Sequence, residues 1–245
     1  MSKDLARQTA LVTGATAGIG RATALALAGR GADVIVHGRD RERAARVVQQ
    51  IEALGVRVRF EPADLSDPTE VTALAERAGD VDVLVNNAGI FRFARTSDTD
   101  LATFDVHIAV NVRAPYLLVQ ALAPGMVERG RGAIVNISSG AATTPGAGSG
   151  VYGATKAALE SLTRVWAAEF GPSGVRVNAV AAGPTRTEGT SGFGEAFESV
   201  GRSVALQRLA DPEEIAAAVA FMASPQASYV NGTVLSAVGG LPAHG

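Results

Sequence analysis

Short apolar runs alternate with helical patterns along the whole chain. Seven of these runs predict strands, and their near-continuous apolar character is typical of a parallel sheet covered on both faces. The predicted strands span residues 9–13, 33–37, 56–64, 81–87, 132–138, 175–181 and 228–236. The predicted helices span residues 19–30, 41–54, 67–78, 98–128, 150–170 and 212–223. Strict alternation of strand and helix predicts right-handed crossovers and a three-layer, doubly wound α/β fold.

The same pattern predicts a single domain over residues 1–245, because no linker, repeat or low-complexity tract interrupts it. Residues 183–204 are the exception. They are rich in Gly, Thr, Ser and Phe and predict a mobile lid over a site. Two helix starts are marked by Asp at the N-cap, Pro at N1 and Glu at N3. They are Asp67-Pro68-Thr69-Glu70 and Asp211-Pro212-Glu213-Glu214.

Composition narrows the classes of function. With 47% hydrophobic and 19% charged residues, the chain can bury a core, and its net charge of -2 argues against general nucleic-acid or membrane-surface binding. The absence of Cys excludes disulfides, thiolate metal sites and cysteine nucleophiles, and 3 widely spaced His argue against zinc and a Ser-His-Asp triad. The N-terminus lacks a signal-peptide pattern and the longest apolar runs are strand-sized, so we expect a cytoplasmic protein without a membrane segment.

A glycine cluster follows the first strand and opens the first helix, in the segment Thr13-Gly14-Ala15-Thr16-Ala17-Gly18-Ile19-Gly20. Glycines there allow a tight turn and close approach of the backbone to a diphosphate, whose charge the helix N-terminus favours. A tight strand-to-helix turn without a ligand is the alternative interpretation. The βαβ context favours dinucleotide binding.

The end of the second strand bears on the choice of dinucleotide. An NAD site usually places a carboxylate here, whereas an NADP site offers Arg. The position expected for the carboxylate of an NAD site is Gly38, which has no side chain, and Arg39 follows it. Arg39 can bind a 2′-phosphate with its guanidinium group, and Asp40 is expected to cap the next helix. The sequence therefore favours NADP(H) over NAD(H), with a solvated turn role for Arg39 as the alternative.

Candidate acid–base chemistry lies on the helix near residue 155. Tyr152 and Lys156 are spaced i and i+4, so they share one helix face. An ammonium within ~4–6 Å favours the phenolate and lowers the pKa of a tyrosine, which is ordinarily near 10. Because the chain has two lysines, Lys3 and Lys156, any ammonium inside this fold is expected to come from Lys156.

Polar side chains also end the neighbouring strands. Ser139 ends the fifth strand, 13 residues before Tyr152, where its hydroxyl can bond a carbonyl oxygen. Asn86-Asn87-Ala88-Gly89 ends the fourth strand, at the edge where open α/β sheets bind ligands. Asn111 interrupts the long helical stretch, where its amide could hold a water or bond the backbone.

Together these segments resemble the short-chain dehydrogenase/reductase family, a large group of oxidoreductases with the Rossmann fold. The resemblance covers essentially the whole chain, through TGATAGIG, ADL, NNAG, the Asn111 helix, ISS, YGATK, VNAVAAGPTRT, ADPEEIAAAVAFMAS and YVNGTVL. It implies a seven-stranded, mostly parallel sheet of order 3-2-1-4-5-6-7. Two positions depart from the family pattern. Ala182 stands where Pro often precedes Gly183, and Val238 stands where Asp usually precedes the last Gly-Gly, which leaves the loop after the sixth strand and the C-terminal turn in question.

The resemblance also implies roles for individual residues. Tyr152 would exchange a proton with the substrate oxygen, which Ser139 would orient. Lys156 would bind the ribose hydroxyls and lower the pKa of Tyr152, and Asn111 would hold a water that relays protons. The implied cofactor-binding set, to which Arg39 is added from the charge argument, is Gly14, Thr16, Gly18, Ile19, Gly20, Arg39, Asp64, Leu65, Asn87, Ala88, Gly89, Tyr152, Lys156, Gly183, Thr185 and Thr187. Within it, Asp64 and Leu65 match the adenine contact, Asn87 to Gly89 line the ribose side, and Thr187 reaches the carboxamide.

The expected activity is NADP(H)-dependent interconversion of a carbonyl and a secondary alcohol, acting on a small molecule and carried out by a homotetramer. An alternative within the family is a 3-oxoacyl-[acyl-carrier-protein] reductase, for which Arg92, Arg95 and Arg129 could supply a basic docking surface. An alternative of another class is a dinucleotide-sensing protein without catalysis, which the complete set of four candidate catalytic residues disfavours. Four phenylalanines, Phe91, Phe93, Phe193 and Phe197, either border the substrate or pack loops onto the domain.

Overall fold

Seven parallel strands form one sheet in the computed structural model, which describes residues 3–240. The strand order is β3-β2-β1-β4-β5-β6-β7, as expected for a doubly wound Rossmann fold. The strands are β1 (Thr9–Val12), β2 (Asp33–Gly38), β3 (Val58–Pro62), β4 (Val83–Asn86), β5 (Gly132–Ser139), β6 (Val175–Ala182) and β7 (Val234–Ala237). The fold class predicted from the sequence is confirmed.

Eight α-helices cover the two faces of the sheet within these residues. They are α1 (Gly18–Gly29), α2 (Arg41–Glu52), α3 (Pro68–Ala78), α4 (Leu101–Ile108), α5 (Ala114–Glu128), α6 (Gly150–Phe170), α7 (Gly194–Ser203) and α8 (Pro212–Ala223). Side chains alternate between the two faces along each strand. Ala10 and Val12 therefore pack into the core beneath α1, α2 and α8, and Leu11 packs into the core beneath α3, α5 and α6.

The late strand is shorter than the sequence predicts. Residues 228–233 precede β7 rather than belong to it, because asparagine side chains take the place of strand pairing there. Asn231 accepts the Val177 N–H at 2.8 Å, and Asn178 donates to Val230 O at 2.8 Å and accepts the Thr233 N–H at 3.1 Å. The prediction of a strand over residues 228–236 is therefore wrong for residues 228–233.

The helix predicted over 98–128 divides into α4 and α5, joined by a five-residue π-helical turn at Ala109–Arg113. The combined segment Leu101–Glu128 has the length and apolar composition of a membrane span, contrary to the prediction that apolar segments are strand-sized. In its most apolar window 56% of residues are buried inside the domain, and a buried core helix of a soluble protein meets the same criterion.

Local side chains explain several helix starts. Asp67 accepts the Thr69 N–H at 2.8 Å at the start of α3, as predicted. At α8 the Asp211 side chain accepts from the Glu214 N–H and the Glu214 carboxylate accepts the Asp211 N–H at 2.9 Å, which makes a capping box. The corresponding Glu70 of α3 instead accepts the Asp64 N–H at 2.6 Å. The segment 183–204, predicted as an irregular lid, contains α7.

Candidate active site

The glycine-rich loop connects β1 to α1 with its backbone tightly folded. Gly14 and Gly18 have φ of 64° and 50°, in the left-handed region that favours glycine. A Cβ at Gly20 would lie 2.2 Å from Gly14 O, so no larger residue fits. Asn87 supports the loop from β4, because its Nδ2 donates to Thr13 O at 2.8 Å and to Gly14 O at 3.2 Å. This loop leads directly into a helix N-terminus, which fits the diphosphate of a dinucleotide.

A histidine that the sequence analysis did not assign ties this loop to the neighbouring strands. The Gly14 N–H donates to His37 Nδ1 at 3.1 Å, and His37 Nε2 lies 3.1 Å from Ala63 O. The neutral tautomer with its proton on Nε2 satisfies both bonds. Burial lowers the pKa of His37 to about 4, so the ring is neutral at pH 7.

The N-terminus of α1 is in contact with the segment after β6. The Gly18 N–H donates to Glu188 Oε2 at 3.0 Å, and the Thr187 methyl carbon lies 3.0 Å from the position of a Cβ on Gly18. Thr187 thus lies next to the glycine loop, and its contact with the carboxamide of a cofactor stays a prediction. The Glu188 carboxylate at the helix N-terminus was not anticipated from the sequence.

Gly38 and Arg39 at the end of β2 lie near Asp64, in the region predicted to bind the adenosine. Gly38 is buried and leaves no room for a side chain, since its Cβ would lie 2.5 Å from Thr16 Cγ2. Arg39 is exposed, and Asp40 caps α2 by accepting the Arg43 N–H at 2.9 Å, as predicted. Hydrogen bonds from Ser66 are the largest influence lowering the pKa of Asp64, and the Arg39 charge also contributes.

Three of the other predicted cofactor residues make contacts within the domain. The Leu65 side chain lies in the core beneath α3, and Ile19 packs against the core on the opposite face of the sheet. The Ala88 N–H donates to Thr13 Oγ1 at 3.0 Å. The backbone of Leu65 and the carbonyl oxygen of Ala88 therefore remain for a cofactor, and the Ile19 side chain is partly exposed.

Asn111 occupies the π-helical turn and is buried. Its Nδ2 donates to Ile90 O and to Thr155 Oγ1, each at 3.0 Å, and its Oδ1 accepts the Ile90 N–H at 2.9 Å. The amide thereby joins the loop after β4 to α6. Thr155 is a site residue that the sequence analysis missed, although it lies inside the YGATK motif.

Lys156 is buried on α6, and its Nζ donates to Ile137 O of β5 at 2.8 Å. Burial lowers the pKa of Lys156 to about 8. A Cβ on Gly89 would lie 3.3 Å from both Lys156 Nζ and Asn111 Oδ1. Gly89 therefore leaves a narrow space between an ammonium and an amide oxygen, where hydroxyl groups such as those of a ribose could bond to both.

Tyr152 and Ser139, the two residues predicted to contact the substrate oxygen, lie close together. Burial is the larger influence on Tyr152 and raises its pKa above the ordinary value, and the nearby Ser139 side chain lowers that pKa by less. Lys156 Nζ lies 5.8 Å from the centre of the Tyr152 ring and donates its hydrogen bond to Ile137 O. The lowering of the Tyr152 pKa by Lys156 predicted from their spacing is wrong for the protein's own groups, because desolvation dominates.

The loop after β6 is held by β7 and its neighbours. The Gly183 N–H donates to Ala237 O at 2.9 Å, and a Cβ on Gly183 would lie 2.7 Å from Val238 Cα. Thr185 is buried, donates to Gly183 O at 2.9 Å and bridges to Ala210. The two departures from the family pattern, Ala182 and Val238, thus flank one tightly packed glycine.

The predicted basic surface does not assemble as one patch. Arg92 and Arg95 are exposed on the loop after β4, close to the site. Arg129 follows α5, where it pairs with Asp80 at 2.6 Å and donates to Val81 O, next to the start of β4. Because that end of the sheet lies opposite the active site, the grouping of Arg129 with Arg92 and Arg95 is wrong.

The doubly wound sheet, the glycine loop and the grouped Asn111, Ser139, Tyr152 and Lys156 together define a dinucleotide-dependent oxidoreductase. Comparison with known proteins agrees. The model of a family described as enoyl-(acyl carrier protein) reductase matches residues 14–242. A galactitol 2-dehydrogenase (L-tagatose-forming) of Cereibacter sphaeroides is 40% identical over 238 residues, which cover 94% of this chain and 93% of that protein.

Two solved structures extend the comparison. A short chain dehydrogenase/reductase family protein is 52% identical with a TM-score of 0.91, over 97% of this chain and 98% of that one. A 3-oxoacyl (acyl-carrier-protein) reductase from Agrobacterium tumefaciens with NADP bound is 34% identical with a TM-score of 0.93, over 97% of this chain and 95% of that one. The chain belongs to the short-chain dehydrogenase/reductase family, and it is an NAD(P)-dependent oxidoreductase.

Proposed function

We propose that the protein interconverts a carbonyl and a secondary alcohol with NADP(H), using Tyr152 as general acid and base. The observation that carries the proposal is that Ser139 lies close enough to Tyr152 to influence the pKa of its phenol, while the buried Lys156 places its Nζ 5.8 Å from the centre of the Tyr152 ring. A bound nicotinamide supplies or accepts the hydride. The glycine loop would hold the diphosphate, and the space at Gly89 would receive ribose hydroxyls.

The chain's own groups then handle the proton. A tyrosine ordinarily has a pKa of ~10 and burial raises that of Tyr152 further, so its phenol is protonated at pH 7 and can donate to a carbonyl oxygen during reduction. Ser139 orients that oxygen with a second hydrogen bond. In the oxidative direction Tyr152 must act as phenolate, which the positive charge of a bound oxidised nicotinamide would favour.

The mechanism is tested by Tyr152→Phe, which removes the hydroxyl and keeps the ring. Turnover is expected to fall by ~10²–10⁴-fold, while cofactor binding, followed by nicotinamide fluorescence, persists. Tyr229→Phe is the matched control, because Tyr229 is fully exposed. Wild-type turnover in Tyr152→Phe would refute the mechanism. If the wild type binds the cofactor but consumes none of it with any of the carbonyl compounds tested, a dinucleotide-sensing protein without catalysis is favoured.

A 3-oxoacyl-[acyl-carrier-protein] reductase remains the second candidate. Its support is the exposed pair Arg92 and Arg95 beside the site and the similarity to a reductase of that name. Acidic carrier proteins fit a basic rim of this kind. Reversing both charges with Arg92→Glu and Arg95→Glu should then raise KM for a carrier-bound 3-oxoacyl substrate and leave KM for a small ketone unchanged.

We also propose a homotetramer in the cytoplasm. The support for assembly is apolar side chains left exposed on adjoining helices, namely Leu101, Phe104 and Ile108 of α4, Tyr116 of α5 and Val165 of α6. Contiguous apolar surface of this kind marks interaction sites on soluble proteins. Cytoplasmic location rests on the sequence alone.

A further inference from the structure

Four phenylalanine rings from two separate segments gather at the ring of Tyr152. Phe93 meets that ring edge-on with centres 5.7 Å apart and planes at 81°, and Phe91 does so at 6.4 Å and 69°. Phe193 lies 6.1 Å from Phe91 and 6.4 Å from Phe93, and Phe197 lies 5.9 Å from Phe193. We call these four phenylalanines the aromatic wall.

The aromatic wall offers ring surface to a ligand as well as packing two segments together. Phe93 and Phe193 remain 54% and 42% exposed. Rings used only to fasten loops onto a domain are buried by that packing, whereas accessible rings grouped beside reactive groups are typical of ligand sites. Phe91 also contacts the segment after β6, because its Cζ lies 3.3 Å from the position of a Cβ on Gly189.

We infer that the substrate carries an aryl ring on its carbonyl or carbinol carbon, an inference that rests on the proposed function. In the proposed function the Tyr152 and Ser139 hydroxyls hold the substrate oxygen, so the group attached to the same carbon lies one or two bonds away. Phe91 and Phe93 flank the ring that carries the Tyr152 hydroxyl. That group therefore meets phenylalanine surface, against which an aryl ring stacks edge-on or offset.

The same surface disfavours two other classes of substrate. Phenylalanine has no hydrogen-bonding group, so the hydroxyls of a polyol placed here would lose their bonds to water without replacement. A linear acyl chain can contact the wall, but ordering its rotatable bonds costs more than placing a rigid ring. The order expected is aryl ketone first, linear ketone second and polyhydroxy ketone last.

The test compares kcat/KM for acetophenone, 2-octanone and fructose in the wild type and in Phe93→Leu. Acetophenone and 2-octanone have the same number of carbons, so their comparison isolates the ring. Loss of one aromatic contact should lower kcat/KM for acetophenone by about 2- to 13-fold, mainly through KM, and change that for 2-octanone by a smaller factor. Phe221→Leu, which alters a partly exposed phenylalanine on α8, should leave all three values unchanged.

Several outcomes overturn the inference. One is a preference for 2-octanone, fructose or a 3-oxoacyl thioester over acetophenone. Another is an equal loss of kcat/KM for every ketone in Phe93→Leu. If such ketones are reduced in a Tyr152-dependent manner, the proposed function survives and only the aryl assignment fails. If no ketone is reduced, the proposed function fails. Calorimetry with acetophenone then tests separately whether the aromatic wall binds an aryl ketone. Binding that Phe93→Leu weakens supports the aromatic wall as a ligand surface, and absence of binding refutes it.

Discussion

Cofactor preference depends on very few atoms, and Arg39 is the side chain to change. Arg39 is exposed at the end of β2, and its charge reaches Asp64. A charge-assisted bond from its guanidinium to a 2′-phosphate is worth ~1.5–3 kcal/mol, which is roughly tenfold to over a hundredfold in preference for NADP(H). Solvent screening at an exposed site places the effect near tenfold. Arg39→Leu should therefore remove about a factor of ten from the ratio of kcat/KM for NADPH to kcat/KM for NADH.

Installing NAD preference requires a further change that only the structure makes visible. Gly38→Asp would supply the carboxylate for the ribose, but its Cβ would lie 2.5 Å from Thr16 Cγ2 and 3.3 Å from Thr16 Cβ. Overpacking of this kind costs ~1–3 kcal/mol. Gly38→Asp with Arg39→Leu should thus lower Tm and weaken binding of both cofactors. Adding Thr16→Ala removes the closest atom and should restore Tm and favour NADH.

The assay is kcat/KM with each cofactor, at low and high salt, alongside Tm for every variant. Arg57→Leu is a suitable control, because Arg57 pairs with Asp33 where β2 and β3 begin, whereas Arg39 follows the end of β2. An unchanged cofactor ratio in Arg39→Leu, or a wild type that already prefers NADH, would show that Arg39 is a solvated turn residue. Equal Tm with and without Thr16→Ala would refute the steric argument.

Three further predictions concern stability, cofactor binding and assembly. Because burial lowers the folded-state pKa of His37 to about 4 while the unfolded value is ~6.5, its neutral ring contributes roughly 3 kcal/mol above pH 6.5 that is lost as pH falls through 4. His37→Gln should flatten the dependence of the urea-unfolding free energy on pH across that window, and an unchanged slope would contradict this. Glu188→Gln removes a negative charge from the N-terminus of α1 and should tighten cofactor binding by about two- to fivefold in fluorescence titrations, whereas weaker binding would mean that the carboxylate serves the cofactor. Light scattering should give a tetramer, and a 24.9 kDa species at micromolar concentration would exclude one.

The strands that bracket the site could be predicted because their signals are local. The apolar runs of β1, β2, β4, β5 and β6 were located to within a few residues, and the polar residues that end them meet at one sheet edge as parallel topology requires. The spacing of Tyr152 and Lys156 also predicts one helix that carries both, which is α6. These inferences needed only periodicity and the alternation of strand and helix.

What the sequence could not supply is set by distant contacts. The pKa of Tyr152 is raised rather than lowered because desolvation depends on the whole packed site, and Lys156 directs its bond to Ile137 O of another element. The start of β7 is displaced by asparagine side chains that reach across strands. The role of His37 follows from a bond to Gly14, 23 residues away, for which the sequence carries no local signal.

The π-helical turn at Ala109–Arg113 limits insertions and deletions in this part of the chain. Such a turn holds one residue more than the corresponding α-helical turn. Deleting a residue from it would convert α4 and α5 into one regular helix and rotate one part against the other by about 100°. The Asn111 amide could then no longer bond both Ile90 and Thr155, even though every other residue was retained. Evolution and engineering can therefore exchange exposed residues of this helix. A change in the number of residues in the turn would instead break the contacts by which Asn111 joins the loop after β4 to α6.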